Sequence, residues 1–209
     1  MVVTKDNMRQ VIEHLQCQTN IGIDTEGYGT EFDDRLFAVS FATDSYKFYL
    51  NLYDGPDYLG NHAPDKYVMP YESLKEFSPV WDNHNIHWFI HNASHDLQKL
   101  EYEGVKLAGT VVCTMISERI LTNNLGPKDY SLAHCSLRRG WYKIDEVEKC
   151  ITENKLYTMV QVPGKKKKIK RKHFEKVPFI LLAEYAEKDA ELHLKIGLSQ
   201  RKKVYESSL

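Results

Sequence analysis

Cysteine is scarce and scattered in this chain: Cys17, Cys113, Cys135 and Cys150 are four among 209 residues, with no CxxC or Cys/His spacing. That pattern argues against a zinc site and against a disulfide framework, and points to a reducing compartment. Long apolar runs are missing as well. The N-terminus, MVVTKDNMRQ, has no apolar leader core, and no stretch approaches the ~18 residues that span a bilayer. A soluble, cytoplasmic protein with no membrane contact is expected. Neither sign of charge is in excess: 28 Lys and Arg against 29 Asp and Glu leave a net charge of −1. A polyanionic partner would therefore need a local basic surface, or metal ions to offset acids. No internal repeat and no Pro/Gly/Ser-rich linker divides the sequence, so a single domain over residues 1–209 is expected, with monomer as the default state.

What is present is an ordinary globular balance, with 42% hydrophobic and 27% charged residues. Residues 20–25 (NIGIDT), 36–42 (LFAVSFA) and 46–52 (YKFYLNL) read as three strands, with a tight turn at Asp44-Ser45 joining the last two into an antiparallel meander. Residues 53–70 are loop-like, 73–80 read as a short helix, and HWFI at 87–90 as a fourth strand. Helical spacing follows at 94–103, with Asn92 or Ser94 as its cap, then at 114–122, 130–139 and 177–204, and Val111-Val112 supply a short fifth strand. This order predicts a mixed α/β domain: a central sheet of about five strands flanked by helices. The aromatic residues Phe37, Phe41, Phe48 and Tyr49 read as sheet packing, and the three tryptophans as core or rim.

One anomaly is basic. KKKKIKRK at 165–172 sits between two alternating arms around Pro163-Gly164, which predicts a basic hairpin insertion at 154–174. A solvated loop tip and a nucleic-acid contact both fit it.

The other anomaly is acidic. Asp24 and Glu26 close the first strand two residues apart, so both carboxylates point to one face. Asp96 lies in HNASHD, just past the fourth strand, at the sheet edge where open α/β folds gather ligands; His91 and Asn92 add polar groups there. Tyr185 and Asp189 are four apart on the last helix and share a face. Taken singly, each acid has an ordinary explanation as a turn, cap or surface residue. Together they form an oxygen-donor set suited to magnesium or manganese. Two such ions roughly 3.5–4 Å apart stabilise the attacking and leaving oxygens of an in-line phosphoryl displacement.

IDTEG, HNASHD and YAEKD, in that order, resemble the three exonuclease motifs of the DEDD superfamily in its tyrosine-containing branch. The resemblance is closest to the proofreading 3′-5′ exonuclease domain of phage-type family A DNA polymerases. It extends through DRLFAVSFAT, CTMISERIL, DYSLAHCSLRRG and VPFILLAEYAEKDAELHLKI, and so covers most of residues 20–197. It implies a ribonuclease H-like fold and an enzyme that releases 5′-mononucleotides from the 3′ end of single-stranded DNA. Asp24, Glu26, Asp96 and Asp189 would hold two divalent ions (Mg2+ or Mn2+), and Tyr185 would place the attacking water. Thr25, His91, Asn92 and Ile144 would contact the substrate.

Two positions depart from the family pattern: His95 stands where an aromatic residue usually precedes the second-motif Asp, and Cys113 where Asp usually precedes Thr-Met. The sequence stops soon after the third motif, so a freestanding exonuclease and an excised domain both fit, and a separately supplied DNA polymerase module is a candidate partner. A ribonuclease D-like RNA 3′-5′ exonuclease would share every motif. A non-catalytic nucleic-acid-binding relic would ordinarily have lost one of the acids, all of which are here.

Overall fold

Helix α8 (Phe179–Ser207) lies across the sheet and organises the molecule. The computed structural model describes residues 1–29, 34–123, 129–161 and 168–207. In chain order, α1 (Met8–Gln16) precedes β1 (Asn20–Gly27), β2 (Leu36–Ala42) and β3 (Lys47–Asn51). Two single turns, α2 (Ser73–Glu76) and α3 (Ser78–Trp81), lead into β4 (His87–Ile90), α4 (Ala93–Tyr102), β5 (Thr110–Cys113) and α5 (Thr114–Leu121). Then come α6 (Leu132–Leu137), α7 (Glu146–Glu153), the strands β6 (Tyr157–Val160) and β7 (Ile169–Lys172), and α8.

The sheet order is β3-β2-β1-β4-β5. β1 pairs antiparallel with β2 and parallel with β4, and β4 pairs parallel with β5, so the sheet is mixed as expected. All seven residues of β2 are buried, because helices cover both faces. One face packs Ile21, Ile23, Phe41 and Trp88 against Leu15 of α1, Trp81 of α3 and Leu100 of α4. The other packs Phe37, Tyr49, Ala42 and Phe89 against α8. This layering of helices, mixed sheet and helix is the ribonuclease H-like arrangement expected from the sequence. No helix among the described residues is long and apolar enough to cross a membrane.

Small residues bring α8 close to the strands. A Cβ on Gly22 would stand 2.1 Å from the Ala190 carbonyl oxygen, and one on Gly197 would strike the Phe89 ring at 1.9 Å. The Ser40 hydroxyl donates to the Ala186 carbonyl (2.9 Å), and His193 Nδ1 donates to the Ile23 carbonyl (2.7 Å). These contacts set the rotation of α8 over β1, and with it where Tyr185 and Asp189 point.

In the helices, two local outcomes differ from expectation. α1 and α7 form where no helix was expected, and the helix expected at 73–80 is two turns broken at Phe77, with Pro79 in the first turn of the second. Proline has no N–H to continue the ladder. β6 and β7 pair antiparallel, separately from the main sheet; Pro163-Gly164 and the lysines at 165–167 fall outside the described residues.

Candidate active site

Because β1 and β4 run parallel, their carboxyl ends lie on one edge of the sheet. β1 delivers Asp24 and Glu26 there. The chain leaving β4 turns at Asn92, whose φ of 59° is left-handed, a conformation asparagine tolerates, and α4 then carries Asp96 in its first turns. α8 adds Tyr185 and Asp189 from above. Glu26, Asp96, Tyr185 and Asp189 are each no more than 8% exposed.

The acids are held unequally. The Thr25 backbone N–H and hydroxyl both donate to Asp96 Oδ1, at 2.9 and 2.8 Å. Lys143 donates to Asp189 Oδ2, and its ammonium sits 4.5 Å from the centre of the Tyr185 ring. Asp189 Oδ1 is buried with no hydrogen-bond partner among the described residues. Asp24 Oδ1 lies 3.8 Å from His193 Nε2.

The electrostatics follow from burying four acids beside one ammonium. Burial, then the charges of Asp96, Glu26 and Asp189, push Asp24 well above the usual carboxylate range. Glu26 rises to about 8 through burial and the Asp189 charge. Burial lifts Asp96 to about 7 despite its Thr25 hydrogen bonds, and lifts Asp189 despite Lys143. Burial also lowers His193 to about 3 and His91 to about 4, so both imidazoles are neutral near pH 7 and cannot balance the acids.

Ionising these acids together would leave a negative charge that nothing else here balances; a hard divalent cation offsets it, and carboxylate oxygens are its preferred donors. The residues fit such a group: an all-oxygen set, one orphaned buried oxygen, and raised proton affinities throughout. Among the described residues, no three His, Cys, Asp or Glu side chains are arranged to hold a metal ion. Thr25 turns Asp96 to the backbone and Lys143 engages Asp189, as mutually repelling carboxylates do when other partners are at hand.

The remaining expected residues take distinct places. Asn92 is exposed at the start of α4, with no side-chain capping bond. His91 is held inward, with Nε2 2.9 Å from the Tyr130 carbonyl oxygen and Nδ1 2.9 Å from the Thr114 hydroxyl. Ile144 packs, half-buried, against the cluster that contains Tyr185. His95 is half-buried beside Thr25, Glu26 and Gly27 in a cavity of about 450 Å3, which meets the acids at Glu26.

Sequence reasoning missed Lys143 and His193. His193 had a signal, since Tyr185, Asp189 and His193 follow one another at four-residue intervals on a single helix. Lys143 had none: nothing in YKIDEV marks its ammonium for an acid 46 residues away.

Among known proteins, a family model described as 3′-5′ exonuclease matches residues 1–204. No curated protein sequence matches the chain. Escherichia coli RNase D superposes with a TM-score of 0.64 at 17% identity, covering 100% of this chain and 45% of that one. The Pol1 structure from M. smegmatis, in complex with DNA primer-template and dNTP, gives 0.63 at 10% identity over 98% of this chain and 27% of that one. Brucella melitensis NrnC, with bound Mg2+, gives 0.56 at 17% identity over 92% and 77%. The chain thus spans less than half the length of the first two. The fold, its edge-placed acids and the match over residues 1–204 lead to one conclusion: this chain belongs to the 3′-5′ exonuclease family, within the DEDD superfamily.

Proposed function

We propose that residues 1–209 form one domain that hydrolyses the 3′-terminal phosphodiester of single-stranded DNA and releases 5′-mononucleotides, as a proofreading exonuclease does. The observation that carries this reading is the convergence of Asp24, Glu26, Asp96 and Asp189 with Tyr185 on one sheet edge, all buried except the half-buried Asp24, with the Lys143 ammonium on Asp189. Asp24, Glu26, Asp96 and Asp189 would hold two divalent ions. When bound, those ions would activate water and offset the charge of an in-line displacement.

The chain's own groups supply the rest. The Tyr185 hydroxyl, kept protonated by burial and the neighbouring acids, orients the attacking water by hydrogen bonding. Thr25 fixes Asp96 through two hydrogen bonds and lines the cavity where the substrate would contact it. Asn92, exposed at the head of α4, is placed to meet the terminal nucleotide, and Ile144 offers a base an apolar surface.

RNA is the alternative substrate. RNase D is as similar in fold as Pol1, and choice at the 2′-hydroxyl rests on one or two contacts. A DNA polymerase module supplied separately is the partner that the proofreading reading implies. The test is a time course on 5′-labelled single-stranded DNA and matched RNA with magnesium, manganese or EDTA. A DNA ladder shortening from the 3′ end, silenced by EDTA and by Asp24→Ala, is expected. Preference for RNA would move the chain to ribonuclease D-like work, and cleavage of neither would remove the reading.

A further inference from the structure

The cavity beside Glu26 has a second wall, and β6 and β7 build it. Tyr157, Thr158, Met159 and Val160 pair antiparallel with Lys172, Arg171, Lys170 and Ile169. An isolated pair of strands is marginal in water, so this one needs fastening. Arg171 supplies it: Nε donates to the Tyr28 carbonyl (3.0 Å), and Nη2 pairs with Asp34 Oδ1 (2.8 Å). Gly29 leaves room for this clasp, since a Cβ there would stand 2.0 Å from Asp34 Oδ2 and 2.7 Å from Arg171 Nη2. On the next residue, Lys172 Nζ lies 2.7 Å from both oxygens of Glu148 on α7.

Two cations are thus engaged in anchoring. Two others, Lys168 and Lys170, are exposed, and Lys170 Nζ stands 4.4 Å over the Tyr157 ring. Val160, Ile169, Lys170 and Phe174 all line the cavity, together with Thr25 and Glu26. Along β7, Lys168 and Lys170 alternate with the inward Ile169 and Arg171 and so sit exposed at its rim. Apolar groups interleaved with ammonium groups complement what a single nucleic-acid strand offers, a base face and a phosphate at every step. The volume, about 450 Å3, lies in the range of pockets that enclose a small molecule. In a chain of net charge −1, this is a basic surface at the site where a polyanion must approach acids.

We propose that the β6–β7 pair is a strand-binding wall of the active site, taking bases against Val160, Ile169 and Phe174 and phosphates on Lys168 and Lys170. The proposal rests on the exonuclease reading for its substrate, single-stranded nucleic acid. Phosphates and base faces are common to DNA and RNA, so the wall serves either.

The test is equilibrium binding, by fluorescence anisotropy, of labelled oligo-dT and oligo-U to the full chain in EDTA across a salt series. The Lys168→Ser/Lys170→Ser variant should bind both strands on the order of tenfold more weakly at low salt. Its plot of log affinity against log salt should be shallower by about 1.4, from two lost phosphate contacts at roughly 0.7 each. Circular dichroism checks that it is folded, and Lys170→Glu alone should weaken binding as well. Unchanged affinity and slope, or a loss confined to one of the two nucleic acids, would overturn the proposal. Cleavage by the unaltered chain is scored separately with magnesium. Its absence alongside the binding loss removes the exonuclease reading and leaves the wall as a binding surface. Cleavage with unchanged binding removes the wall alone.

Discussion

A lone buried carboxylate and a cluster of four sit under α8, and the protein treats them in opposite ways. Glu118, 5% exposed on α5, receives Arg139 Nη2 at 2.6 Å, Gln200 Nε2 at 2.7 Å and Arg139 Nη1 at 3.2 Å, with Arg138 Nη2 at 3.4 Å. Burial alone would raise its pKa, but the Arg139 and Gln200 hydrogen bonds and the two arginine charges more than offset it and hold the carboxyl below the usual range. Asp24, Glu26, Asp96 and Asp189 share one lysine, and all four are pushed upward. A buried acid that serves stability is surrounded by donors. One that serves chemistry is left short of them, and the shortfall costs stability until a ligand supplies the charge.

This contrast can be broken by substitution. The largest effect is expected from Asp24→Ala or Asp189→Ala, which should reduce 3′ cleavage by roughly three orders of magnitude or more, the scale of losing a charge-stabilising group. Melting in EDTA should be at or above that of the unaltered chain, because a repelling charge has gone. Near-normal cleavage at saturating magnesium would overturn the assignment.

Glu118→Gln should do the reverse. Cleavage of a labelled strand persists, while stability falls by about 3 kcal/mol, or roughly 6–12 °C in melting temperature for a chain of this size. The sign of its pH dependence is set by the depressed pKa. The Glu118 contribution is complete above its ordinary 4.5 and is lost as pH falls through the lower folded value, so the two melting curves should converge on acidification. A gap that widened in acid would contradict the balanced-site description.

Tyr185→Phe removes only the hydroxyl proposed to orient water, so single-turnover cleavage should slow by about 10- to 100-fold, less than the loss of a proposed metal ligand. Lys143→Met sharpens the contrast most finely. Without the ammonium on Asp189, half-saturating magnesium should fall about threefold and the melting temperature in EDTA should drop. A higher magnesium requirement would show that Lys143 assists the cation rather than competing with it.

Much of this was legible along the chain. The apolar run at 36–42 read as a strand, and it is one, buried from end to end. The two-residue period of β1 put Asp24 and Glu26 on one face, and the four-residue interval did the same for Tyr185 and Asp189 on α8. Less legible were α1, whose buried Met8, Val11 and Leu15 have helical spacing but whose Asn7 cap makes no side-chain bond, and α7, which buries only Val147 and Ile151. Both are short, and helices of that length depend on the surface they cover.

Periodicity and turn chemistry are local properties, set by backbone geometry within a few residues, and so the sequence by itself determined the strands, the long helix and the shared faces of Asp24 with Glu26 and of Tyr185 with Asp189. Packing alone decided how far apart those acids stand and what faces them. Gly22 and Gly197 admit α8 to the sheet, Thr25 captures Asp96 from 71 residues away, Lys143 reaches Asp189, and Arg171 fastens a basic wall to Tyr28 and Asp34. Those contacts depend on shape and charge between segments remote in sequence, and they exist only once the core has closed.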